Sequence, residues 1–177
     1  LKVEAGKTLK TMISSLKSEL VNEGIRWTDQ DNIHVTLVFL GDTDEMMITV
    51  ISSMLKDKSE GSGNFELILR GAGVFKNISD PHVLWTGIDP SEKLTQLHNI
   101  IINGLRDTGT KIEERLFRPH LTLGRIKHLN DKTVLKPLLD KFQNIEIQKV
   151  PVNEVILYES RLLQSGPVYM PIDKFKL

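Results

Sequence analysis

Cysteine is absent from the 177 residues of this chain. That excludes a disulfide framework and any thiol nucleophile, and it fits a reducing compartment. Long apolar runs are absent too: nothing approaches the roughly 20 residues that a membrane-crossing helix needs. No secretory leader is visible, so a cytoplasmic location is expected. Neither charge is in excess, since Lys+Arg and Asp+Glu are both 23. A global basic field suited to a long nucleic-acid duplex is therefore missing, whereas a short or small anion needs only a few local cations. An initiating methionine is also missing. The chain begins at Leu1, and the expectation is that its natural start lies upstream, with Leu1–Val3 as the tail of a first strand.

What is present is ordinary for a globular protein, with 40% hydrophobic and 26% charged residues. Low-complexity segments and long linkers do not occur. One domain over residues 1–177, built from two similar lobes, is expected. Leu9, Met12, Ile13, Leu16 and Leu20 recur at helical spacing ahead of Gly24, which predicts a helix over roughly residues 8–23. "IRW" and "NIHVTLVFLG" read as strands. Asp42 or Thr43 then caps a helix to about Lys58, with Met46, Val50, Met54 and Leu55 inward. "FELILRG", "GVF" and "HVLWTGI" are β-rich runs separated by turns at "GAG" and "NISDP". A helix capped by Ser91 follows, its apolar stripe made of Leu94, Leu97, Ile101 and Leu105. Next comes a strand containing "HLTLGRI". A helical stretch from Asp131 to about Phe142 should be broken or kinked by Pro137. β-patterned segments close the chain.

The informative feature is a repeated word. "NIHVTLVFLG" and "RPHLTLGR" each contain His-x-Thr-Leu: His34, Thr36 and Leu37, then His120, Thr122 and Leu123. On a strand, residues i and i+2 share a face. His34 and Thr36 therefore point one way while Val35 and Leu37 point into a core, and His120 and Thr122 repeat the arrangement. The order helix, strand, His-x-Thr strand occurs in both halves, which suggests a duplicated α+β architecture. Two such strands meeting across a groove would present two imidazoles and two hydroxyls to one point. That set suits phosphoryl chemistry. One neutral imidazole takes a proton, one imidazolium supplies another, and the hydroxyls bond the non-bridging oxygens. Two groups acting on opposite sides of one phosphorus should lie roughly 5–9 Å apart. The motifs contain no neighbouring Asp, Glu or Cys, so they do not supply the usual three-ligand catalytic metal site, and no metal is expected.

The pair of His-x-Thr-Leu words resembles the 2H phosphoesterase superfamily. "IRWTDQDNIHVTLVFLGDTDE", "GVFKN…PHVLWTGI", "FRPHLTLGRI" and "VNEVILYESRLLQSGPVY" narrow the resemblance to its RNA 2′,3′-cyclic phosphodiesterase (2′-5′ RNA ligase-like) family. The resemblance implies an α+β, bilobal, pseudo-twofold fold: two antiparallel sheets with outer helices around a central groove. It implies no cofactor and hydrolysis of 2′,3′-cyclic phosphates to 2′-phosphates. RNA ends or small cyclic nucleotides would be the substrates, and a monomer without an obligate protein partner or a membrane is expected. By the same resemblance His34 is the proton donor to the departing O3′ and His120 the acceptor that activates water. The residues alone do not distinguish those two roles. The alternatives are 2′-5′ ligation of tRNA halves at the same site, or a non-catalytic RNA-end or nucleotide binder. Two intact histidines and two intact threonines argue against the binder.

Three further residues are substrate-binding candidates. The family commonly carries an arginine where Arg125 stands. Strict alternation would point Arg125 away from His120, and a bulge at Gly124 would turn it back. Arg118 shares parity with His120, but Pro119 disturbs the strand, so a solvated position competes. Phe39 could stack on a base, though its parity with Val35 and Leu37 favours the core. His98 reads as structural, His82 and His128 as surface residues, and "GAG" at Gly71–Gly73 as a turn.

Overall fold

A computed structural model describes residues 1–113, 116–163 and 166–177. Gln164 and Ser165 of the last quoted segment lie outside the described residues. The elements run in the order α1 (Lys7–Glu19), β1 (Gly24–Trp27), α2 (Glu45–Ser59), β2 (Phe65–Asn77), β3 (Asp80–Ile88), α3 (Glu92–Asp107), β4 (His120–His128), α4 (Leu135–Asp140), β5 (Glu146–Val152), β6 (Glu154–Leu163) and β7 (Gly166–Lys176). A five-stranded sheet has the order β1-β4-β3-β2-β5, and β6 pairs with β7 in a second sheet. Every pairing is antiparallel. Helix α1 packs toward β5 and α4 toward β2, whereas α2 lies against α3 and the β6–β7 pair. The fold is thus the α+β arrangement of two antiparallel sheets with helices outside.

The predicted apolar stripes of α1 and α3 are the buried ones: Leu9, Met12, Ile13 and Leu16 in α1, and Leu94, Leu97, Ile101 and Leu105 in α3. Ser91 caps α3 by accepting a hydrogen bond from the Leu94 amide at 3.2 Å. Helix α2 is rotated relative to expectation. Its buried apolar residues are Ile51 and Leu55, while Met46 is 82% exposed and Val50 43%. Pro137 does not break α4, because it falls in the first turn, where backbone N–H groups lack intrahelical acceptors anyway.

"GAG" is not a turn. β2 runs through it with a bulge at Gly71, whose φ is +70°. A Cβ there would sit 2.8 Å from the Gln143 carbonyl oxygen, so glycine is required for both reasons. The largest departure concerns "NIHVTLVFLG". Among the described residues, only two isolated bridges mark it as extended, Lys2 with His34 and Val35 with Leu121. Beyond Val35 the chain runs irregularly to α2. Leu1–Val3 lies on the other side of this segment: the Val35 amide donates to the Leu1 carbonyl at 2.8 Å, and the Val3 amide to Ile33 at 3.2 Å.

Candidate functional site

The two His-x-Thr words meet directly. Val35 and Leu121 are antiparallel bridge partners, and both are 0% exposed. Residues flanking such a bridge face one another on the opposite surface. His34 is therefore set against Thr122, and Thr36 against His120. An antiparallel pair carries a local twofold axis, so one word written on both strands yields a symmetric patch of two imidazoles and two hydroxyls. The histidines occupy its diagonal, which in such a ladder spans about 7–8 Å.

Each ring is oriented in the same way. Nδ1 of His34 donates to the carbonyl of Asn32 at 2.7 Å, and Nδ1 of His120 to that of Arg118, also at 2.7 Å. A carbonyl only accepts, so Nδ1 holds the hydrogen in both rings and Nε2 is left to gain or lose a proton. Their surroundings differ. Tyr169 contacts the His34 ring edge-on at 4.5 Å, with Tyr158 at 6.1 Å. Phe75 stands perpendicular to His120 at 4.6 Å and is itself backed by Trp85 at 5.5 Å. The Trp85 indole occupies space that only a glycine at position 73 leaves open. Burial holds His34 below the usual histidine pKa; the nearby His120 lowers it further, and the hydrogen bond to Asn32 opposes both.

His34, Thr36, His120 and Thr122 open onto one cleft of about 900 Å³. Arg125 lines it too, and the reason is a bulge. Gly124 pairs with Leu84 but Thr122 pairs with Trp85, so Leu123 is an extra residue in β4. The insertion reverses the alternation and brings Arg125 onto the face of His120 and Thr122. Arg118 is exposed at the cleft wall. Phe39 corrects the parity argument. Because the chain is no longer extended after Val35, Phe39 is 68% exposed and lines the cleft instead of the core. His98 is not sealed in the interior either: it stacks on Phe117 at 3.9 Å and 7°, and both rings line the cleft. Sequence reasoning missed Phe75, Tyr169, Phe117 and Arg26. Only Phe75 and Arg26 left a signal, since counting alternation across the correct strand pairings places both on the His120 face.

The cleft is locally basic in a chain with no net charge. Its described lining holds Lys17, Arg26, Arg118 and Arg125 against the carboxylates of Asp29 and Glu113. Among the described residues no three His, Asp or Glu side chains converge as a metal-binding group.

The chain has known relatives. The family model described as "2'-5' RNA ligase superfamily" matches residues 15–162. The chain belongs to that superfamily, among the 2H phosphoesterases. Among curated relatives, the RNA 2′,3′-cyclic phosphodiesterase of Methanothermobacter thermautotrophicus is 31% identical, with 100% of this chain and 97% of the relative covered. The protein of the same name from Aquifex aeolicus is 34% identical over 86% of this chain and 81% of its own length. Among solved structures, TT0787 of Thermus thermophilus superposes with a TM-score of 0.81 at 22% identity, covering 99% of this chain and 94% of that one. That likeness concerns the fold.

Proposed function

We propose that this protein hydrolyses 2′,3′-cyclic phosphates at RNA ends or on nucleosides to 2′-phosphates, without a metal. The observation that carries the reading is the Val35–Leu121 bridge, which sets two histidines diagonally and two threonines beside them. The relatives named RNA 2′,3′-cyclic phosphodiesterase support the choice of substrate. In the proposed reaction, neutral His120 accepts a proton from water through Nε2 as the water oxygen attacks phosphorus. The P–O3′ bond breaks opposite, and protonated His34 delivers its Nε2 proton to O3′. The product carries a 2′-phosphate and a 3′-hydroxyl. Proton exchange with solvent then restores both rings. Thr36 and Thr122 hydrogen-bond the non-bridging oxygens, where negative charge concentrates. Arg125 adds a cation on the same face.

A turnover panel tests this. Nucleoside 2′,3′-cyclic phosphates, a short RNA ending in a cyclic phosphate, and tRNA halves are each assayed with and without a chelator, and the product regiochemistry is determined. The expected result is a 2′-phosphate at a rate the chelator does not change. Activity lost to chelation and restored by a divalent ion would overturn the metal-free mechanism; a 3′-phosphate product would overturn the assigned leaving group.

A further inference from the structure

Two arginines face each other at one end of the cleft. Arg26 on β1 is directly opposite Arg125 on β4 in the strand register. The flanking pair, Ile25 and Ile126, points the other way into the core. Like charges set directly opposite on neighbouring strands repel. Elsewhere this chain relieves such cost with carboxylates, as where Arg70 is held by Asp89 at 2.9 Å and Glu146 at 3.4 Å. Among the described residues, neither Arg26 nor Arg125 has an ion-pair partner. Asp29, the nearest carboxylate in sequence that lines the cleft, instead accepts from the Asp31 amide at 2.9 Å. The Arg26 stem passes near the start of β7: a Cβ at Gly166 would lie 3.7 Å from its Cδ. Lys17, held 5.8 Å over the Trp27 ring, adds a third cation to this end.

A like-charged pair on one cleft wall, Arg26 half-buried and Arg125 exposed, with neither neutralised, is an anion site waiting for its anion. Its position is informative. Because Leu123 is bulged, Arg125 is the next groove-facing residue after Thr122, about 7 Å along the strand. That is the step from one phosphate to its neighbour across a single sugar. A 2′,3′-cyclic phosphate closes the 3′ end, so any neighbouring phosphate must sit on O5′ of the same ribose. Resting on the hydrolase reading above, we infer that Arg26 and Arg125 bind that O5′ phosphate. The preferred substrate is then an RNA chain end and not a bare nucleoside cyclic phosphate.

The test compares four substrates: a nucleoside 2′,3′-cyclic phosphate, its 5′-phosphorylated form, a dinucleotide ending in the cyclic phosphate, and that dinucleotide with a neutral methylphosphonate linkage. The 5′-phosphorylated form and the natural dinucleotide should exceed the bare nucleoside in kcat/KM by about tenfold or more. Comparing these two separates a lone 5′-phosphate from a continuing chain as its source. The methylphosphonate should lose the gain. Arg26→Ala should remove most of it while changing the bare substrate far less. The dinucleotide should also gain a salt dependence of about 0.7 in log–log slope. Equal kcat/KM for all four substrates, or an Arg26→Ala loss shared equally among them, overturns the proposal. If no cyclic phosphate turns over, the hydrolase reading fails instead. The subsite is then read by binding of the corresponding 2′-phosphates, and equal affinity with and without the 5′-phosphate overturns it.

Discussion

His120 stands on β4, a nine-residue strand laddered on both edges, whereas His34 stands on a short segment joined to its neighbours by one bridge on each side. Both rings nevertheless make the same 2.7 Å bond to the carbonyl two residues upstream. The comparison separates two jobs usually credited together to a strand. Ring orientation comes from local backbone around the histidine, and a full ladder is not needed for it. Register between the two words needs only the Val35–Leu121 contact. What the two regions do not share is solvation: His34 sits against two tyrosines, and His120 against one phenylalanine.

The sharpest way to break the comparison is to delete each ring. His34→Ala and His120→Ala should each lower kcat by about 10²–10⁴-fold, the usual worth of one proton-transfer group, with far-ultraviolet circular dichroism unchanged. Unequal losses would show that the symmetric patch is chemically unequal. A folded His120→Ala protein with near-normal kcat would remove His120 from the mechanism.

Next in size is the effect on stability. Leu121→Ala empties a fully buried site in the central sheet and should cost about 2–5 kcal/mol in denaturant unfolding. Val35→Ala removes a smaller side chain from the lightly held segment, so its cost should be lower, about 1.5–3 kcal/mol at most. Its effect on kcat should be proportionally larger, because it loosens the register between the words. A Val35→Ala protein destabilised as much as Leu121→Ala would show that the segment is as firmly built as β4.

The smallest effect is in pH. His34 titrates below the usual histidine value of 6.5 because burial disfavours its charged form. Just below 6.5 the unfolded chain therefore binds more protons at this residue than the folded one does. The stabilising contribution is full above the unfolded value and is lost as pH falls through the lowered folded value. Unfolding free energies measured from pH 7 to 4 should fall on the acid side, and His34→Gln should flatten that slope. An identical slope in the variant would refute the desolvation of His34.

Much of the site was legible because its signal is short-range. His-x-Thr carries its own parity, and Ser91 and the stripe of α3 carry their own cap and period. Arg125 was legible as two alternatives, since a glycine permits a bulge without demanding one. Long-range features were not. The segment from Thr36 to Leu40 has a strand-like composition, but among the described residues no strand ladders with it, and that is why Phe39 emerges at the cleft. The rotation of α2 follows from what packs against it, α3 and the β6–β7 pair, which its own period does not specify. Tyr169 approaches His34 from the far end of the chain, where nothing local announces it.

The bulge at Leu123 makes the pairing of one short stretch decisive. Between His120 and Arg125 the strand contains one residue more than its partner β3. Were this stretch paired in regular alternation at its present length, Arg125 would turn into the core and Ile126 to the surface. Deleting Leu123 would instead leave Arg125 four residues after His120, where plain alternation keeps it on the groove face. What fixes the side of the sheet that Arg125 serves is thus the unpaired residue itself, and a shorter stretch without a bulge would serve equally.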